Sequence, residues 1–170
     1  MLVFIVGYMG AGKSSVGAAL AKALNFRFVD TDDWIEARCC KTITQIFNDL
    51  GEKEFRDMEK ECLEFLIDQD DFVVATGGGL PCHNNLMELM NEMGETVFLD
   101  AAEETLLKRL ELQTEQRPLL HSNQSLSEII TSQLAERIST YACAKHTLQV
   151  NEKPILSIVQ ELQFLLKHSR

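Results

Sequence analysis

Apolar residues follow two rhythms along this chain. Leu2–Val6, Phe26–Val29, Phe72–Ala75, Thr96–Leu99 and Thr147–Val150 are short, mainly apolar runs of four or five residues. Runs that short, without alternation, predict strands buried on both faces. Between them apolar residues recur every three or four positions, as in Val16, Leu20, Ala23 and Leu24 behind the first run. That period predicts amphipathic helices. Strand and helix alternate from end to end, which predicts an α/β fold with a parallel sheet covered on both faces. No repeat, low-complexity tract or long linker breaks the pattern.

Two segments depart from it. Between Asp30 and Gln69 the spacing predicts two or three helices instead of a single crossover. Thr42 is placed to cap a helix over Ile43–Leu50, and Gly51 to end it. A longer helix follows with Phe55, Met58, Cys62, Phe65 and Leu66 on one face. An insertion of this kind is a natural seat for a second substrate. The other departure, Glu111–Ser125, is polar and poor in helix signals. A loop of that length predicts a lid, with a disordered connector as the alternative. The expected organisation is one domain over residues 1–170, with a helical insertion at about 31–62 and a lid at about 111–125.

The junction of first strand and first helix carries the most specific chemistry. Gly7-Tyr8-Met9-Gly10-Ala11-Gly12-Lys13-Ser14 fits G-x-x-x-x-G-K-[ST] in the strand–loop–helix context that the pattern requires. Glycines let successive backbone N–H groups turn inward around phosphate oxygens, and the helix adds the positive end of its dipole. Lys13 supplies a point charge for the β/γ-phosphates, and the Ser14 hydroxyl can ligate Mg²⁺. Gly10, Ala11, Gly12, Lys13, Ser14 and Ser15 are therefore candidate contacts to a nucleoside triphosphate. A ligand-free glycine turn is the bland alternative.

Asp30-Thr31-Asp32 ends the second strand. Ligands of open parallel sheets sit beyond the strands' carboxyl ends, so both carboxylates should face the phosphate loop. One can serve the Mg²⁺ shell, and the other can orient or deprotonate an attacking hydroxyl. The competing role is a helix cap for Trp34–Arg38 by Asp32 or Thr31. Asp33 is expected to point elsewhere. Gly77-Gly78-Gly79, after the third strand, leaves backbone bare where something must approach closely. Arg56 and Arg137 are each either a carboxylate clamp or a solvated surface charge, and Arg56 could simply pair with Glu52. Arg117 in the lid could close over phosphates.

Composition narrows the classes. Net charge is −10, from 26 acids against 16 bases, a field that disfavours nucleic acid and anionic membranes as partners. Positive charge for an anionic ligand must then come from a few residues, with Lys13, Arg56, Arg117 and Arg137 as candidates. Hydrophobic residues make up 45%, enough for a full core at this length. No apolar run approaches a membrane span, so a cytoplasmic protein is expected. The five cysteines show no C-x-x-C spacing, which predicts free thiols packed as small apolar groups rather than zinc ligands or disulfides.

Taken together these motifs resemble the shikimate kinase family over nearly the whole chain. The phosphate loop through Gly17 resembles that family's loop, and Phe28-Val29-Asp30-Thr31-Asp32 its F-x-D-x-D segment. Gly51-Glu52-Lys53-Glu54-Phe55-Arg56 with Glu59 is similar to its G-E-x-x-F-R-x-x-E helix. Gly77–Gly79, Arg117-Pro118-Leu119-Leu120 and Arg137 with Tyr141 match its triple glycine, its lid and its R-x-x-x-Y helix.

The resemblance implies a three-layer αβα P-loop kinase fold with a short parallel sheet, similar to nucleoside monophosphate kinases. It implies transfer of the γ-phosphoryl group of ATP to the 3-hydroxyl of shikimate, on the route to chorismate and aromatic amino acids. By the same resemblance Asp32 activates that hydroxyl, with Lys13 and Arg117 as further catalytic residues. Arg56 and Arg137 grip the substrate carboxylate, and Gly78 and Gly79 contact ring hydroxyls. Ser14 and Asp30 form the Mg²⁺ site, and Arg117 reaches ATP. Asn151-Glu152-Lys153-Pro154 forms one wall of the adenine site, with Lys153 a nucleotide contact. Arg109 lies where some relatives carry an arginine over the adenine.

The competing readings are another small-molecule P-loop kinase, of gluconate or nucleoside monophosphate type, and a nucleotide-dependent binding module with little turnover. A GTPase would need an N-K-x-D segment, which Asn151–Pro154 does not supply. A monomer is the expected state.

Overall fold

The computed structural model describes residues 1–112 and 125–168. Within them the strands are β1 (Leu2–Val6), β2 (Arg27–Asp30), β3 (Phe72–Ala75), β4 (Glu95–Asp100) and β5 (His146–Gln149). The helices are α1 (Lys13–Leu24), α2 (Thr31–Cys39), α3 (Ile43–Leu66), α4 (Leu86–Met93), α5 (Glu103–Glu111), α6 (Leu126–Tyr141) and α7 (Ile155–His168). A short 3₁₀ turn covers Leu80–Cys82.

The five strands form one parallel sheet in the order β2-β3-β1-β4-β5. Every residue of the central β1 and of β3 is buried, as a strand covered by helices on both faces must be. The two outermost strands, β2 and β5, are only partly buried. Burial on both faces was expected for them too, and their edge positions in the sheet explain the difference. Register fixes the site. Ile5 and Asp30 both pair with Ala75, so the loops after β1, β2 and β3 leave the sheet together at its carboxyl end.

The insertion has its own small core of Ile35, Ile46 and Phe55, with Trp34, Phe47 and Met58 packed around it. Thr42 caps α3 in a full capping box with Gln45. Gly51, at φ 85° and ψ 172°, breaks the helical path where a helix end was expected.

Three local expectations are corrected. On α1 the inward position is Ala21, and Ala23 is exposed. On α3 the inward face is Phe55, Glu59, Cys62, Leu63 and Leu66, while Phe65 is 49% exposed and lies against Trp34. A buried glutamate on the apolar stripe shifted that face by one position. Helix α2 starts at Thr31 and is capped by Asp30, whose side chain accepts from Asp32 N, so neither Thr31 nor Asp32 is the cap.

The five cysteines are free thiols; Cys62 is buried and pushed up to about 12 by its burial, whereas Cys40 and Cys143 are exposed instead of packed. Among the described residues no helix is long and apolar enough to cross a membrane.

Candidate active site

Two cavities open at the carboxyl end of the sheet and share Met9, Asp32 and Gly78. The larger, about 490 Å³, is floored by the phosphate loop. Gly10 and Gly12 adopt positive φ of 80° and 97°, which glycine reaches without steric cost. Gly12 is also the N-cap of α1. All of Gly10, Ala11, Gly12, Lys13, Ser14 and Ser15 line this cavity, together with Lys153 from the loop after β5. Lys13 Nζ donates to the carbonyl of Tyr8 at 2.9 Å, across the loop it belongs to. Lys153 is held by both carboxylate oxygens of Glu161, at 2.8 and 2.9 Å. Arg109 donates to the carbonyls of Gly10, Ala11 and Val150. It therefore fastens the phosphate loop to the end of β5.

Ser14 Oγ donates to Asp30 Oδ2 at 2.6 Å, and both residues line the same cavity. This hydroxyl–carboxylate pair beside the phosphate loop fits a hard cation held chiefly by phosphates and water. Among the described residues no cluster of three or more acidic, histidine or cysteine side chains could hold a metal by itself. A magnesium ion here would depend on the nucleotide for most of its ligands.

The second cavity, about 350 Å³, is set between the insertion and α6. Ile43, Phe47 and Phe55 form an apolar wall, and Arg56, Arg137 and Asp32 supply its charge. Arg56 is 16% exposed and does pair with Glu52, but not as a solvated surface charge. Its Nη1 donates to Glu59 Oε2 at 2.7 Å, and Glu59 is 1% exposed. Burial opposes the Arg56 charge, yet its bonds to Glu59 and Glu52 hold it above its ordinary value. Burial pushes the Glu59 carboxyl up to about 7 against the pull of Arg56, with Asp32 adding repulsion. Glu59 Oε1 has no hydrogen-bond partner among the described residues.

None of Gly77, Gly78 and Gly79 has positive φ, so the reason for glycine there is space. A Cβ on Gly77 would lie 2.6 Å from Asp32 Oδ1 and 3.0 Å from Glu59 Oε1. A Cβ on Gly79 would lie 2.9 Å from Arg56 Nη1. Two of the three glycines thus make room for the charged side chains of the second cavity. Their loop is held from both sides: Gly77 N donates to Thr31 Oγ1 at 2.8 Å and the Tyr141 hydroxyl to Gly78 O at 2.6 Å. Asp33 is exposed and lines neither cavity. Arg117 and the rest of Arg117–Leu120 lie outside the described residues.

Geometry brings together Asp32, Arg56, Gly78, Gly79 and Arg137 in one cavity and the phosphate loop, Asp30 and Lys153 in the other. Neither the motifs nor their spacing assign a role to Glu59 or mark Gln133, which also lines the second cavity. For Glu59 the signal was there: a charge at the core spacing of α3.

The shikimate kinase family model matches residues 9–167. This chain belongs to the shikimate kinase family. It is an ATP-dependent kinase, a transferase of aromatic amino acid biosynthesis. A shikimate kinase of Phocaeicola vulgatus is 42% identical over 152 residues, 88% of this chain and 87% of the relative. The crystal structure of shikimate kinase from Bacteroides thetaiotaomicron superposes with a TM-score of 0.91 at 38% identity, covering 98% of both chains. A second structure, shikimate kinase from Acinetobacter baumannii in complex with shikimate, has a TM-score of 0.91 at 31% identity. It covers 99% of this chain and 94% of its own. The fold is thus that of the P-loop kinases, as the motifs implied.

Proposed function

We propose that the kinase transfers the γ-phosphoryl group of ATP to the 3-hydroxyl of shikimate, giving shikimate 3-phosphate and ADP. The observation that supports this most is that Asp32 borders both cavities. A group at that junction can touch an acceptor hydroxyl on one side and face the terminal phosphate on the other. Phosphoryl transfer needs alignment and charge neutralisation more than covalent chemistry. In this reading Asp32 receives the hydroxyl proton at its carboxylate and aims the oxygen along the line of attack. Arg56 and Arg137 hold the substrate carboxylate, and the backbone of Gly78 and Gly79 meets the ring hydroxyls. The apolar wall of Ile43, Phe47 and Phe55 receives the ring and keeps water from the acceptor.

Lys13 and the loop amides bind the β- and γ-phosphates, with Arg117 joining them from the lid at about 111–125. Ile155 and Ile158 offer the base an apolar surface beside Lys153. Ser14 and Asp30 would hold Mg²⁺, which when bound neutralises charge on the β- and γ-phosphates. We take residues 1–170 as one kinase domain, with 31–62 as its substrate-binding insertion, acting as a cytoplasmic monomer.

The test is ADP release from MgATP with shikimate, gluconate or AMP as acceptor. Stimulation by shikimate alone is expected. Equal or greater stimulation by gluconate or AMP would overturn the assignment.

A further inference from the structure

We infer that Gln133 is a substrate-binding residue that contributes a neutral donor beside Arg137, with Tyr8 fixing its orientation. Helix α6 presents Gln133 and Arg137 one turn apart, and both line the smaller cavity. The Tyr8 hydroxyl donates to Gln133 Oε1 at 2.9 Å. Tyr8 is itself buried, with the Arg137 guanidinium over its ring at 5.8 Å. A carboxamide whose oxygen is engaged in this way has its NH₂ directed away from the phenol. Gln133 Nε2 has no partner among the described residues.

Tyr8 belongs to the phosphate loop, so the strand–loop–helix unit that binds nucleotide also sets this amide. An amide donor next to a guanidinium suits an anionic oxygen. It adds a hydrogen bond without adding a further charge to be neutralised when the cavity is empty. The ligand it takes is the carboxylate that Arg137 receives. The inference therefore rests on the substrate pose proposed above.

Two variants separate substrate binding from a merely structural link to Tyr8. In Gln133→Glu the new carboxylate still accepts from the Tyr8 hydroxyl, so the internal bond survives while the donor becomes an anion facing an anion. KM for shikimate should rise about ten-fold or more, as for loss of a hydrogen bond to a charged group. KM for ATP, kcat and the melting temperature should stay near those of the parent. Tyr8→Phe frees the amide to rotate and should raise KM for shikimate by a smaller factor. An unchanged KM for shikimate in Gln133→Glu would overturn the inference, as would an equal rise in KM for ATP. Arg137→Ala is the control for the pose. If it too leaves KM for shikimate unchanged, the placement of the carboxylate fails; if it alone raises KM, only the role of Gln133 does.

Discussion

Glu59 gives the sharpest quantitative expectation. Its carboxyl is raised from an ordinary 4.5 to about 7, burial being the largest cause. Between those values the unfolded chain has already released this proton while the folded chain retains it. The folded state therefore binds more protons, and stability falls as pH rises through this window. The contribution is fully present below pH 4.5 and lost above pH 7. At about 1.4 kcal/mol for each pH unit, the loss amounts to roughly 3 kcal/mol across the window.

Glu59→Gln removes the titration but keeps an oxygen that can accept from Arg56 Nη1. The variant should gain on the parent by that amount between pH 4 and pH 8. At a urea dependence of about 2 kcal/mol/M, their midpoints should move relative to one another by roughly 1.5 M. Trp34 packs against the insertion's small core and is the single tryptophan of the chain, so its fluorescence reports unfolding there. Asp33 is raised by burial and by Asp30 and Glu36, and His83 is lowered by burial and Arg56. Both groups are present in parent and variant and cancel in the difference. Parallel pH profiles for the two proteins would refute the assignment of a proton to Glu59.

Four other outcomes are expected. Asp32→Ala should lower kcat by roughly 10²–10⁴, the range for a lost general base, and near-normal turnover in a single-turnover assay would remove Asp32 from the chemistry. Arg137→Ala should raise KM for shikimate roughly ten-fold or more with little change in kcat; steady-state kinetics with both substrates varied decides it. Gly77→Ala and Gly79→Ala should differ in kind, because the new methyl displaces Asp32 in one and Arg56 in the other. The first should act on kcat and the second on KM for shikimate, and the same effect on both parameters would contradict the division of roles. Chelation of Mg²⁺ by EDTA should abolish ADP release and added Mg²⁺ restore it, whereas undiminished turnover in EDTA would exclude Ser14 and Asp30 as a cation site.

Much of the fold was legible because its signals are local. Leu2–Val6 and Phe72–Ala75 appear as strands over the same residues that their apolar runs mark. Thr42, Gln45 and Gly51 bound the first part of α3 by capping chemistry and backbone freedom alone. The phosphate loop is a contiguous motif, and its residues line one cavity. The errors are also physical. The edge strands β2 and β5 carry residues suited to burial on one side only, and nothing in a run of four residues says where in the sheet it will lie. Phe65 reads as core by hydrophobicity, yet Glu59 and Leu63 occupy the inward face.

What the chain determined by itself is therefore the alternation, the caps, the phosphate loop and the supply of a few well-spaced charges. Tertiary structure decided what those charges do. Arg56 could have been a surface partner of Glu52; it becomes part of a cavity because Glu59, buried three residues on, draws it inward. Gly77 and Gly79 leave room for side chains from α2 and α3, elements distant in sequence. Asp32 stands between two cavities because β2 and β3 pair in one register. Spacing along a chain constrains neighbours within a turn or a strand, whereas desolvation and the meeting of charges depend on which elements the sheet brings side by side.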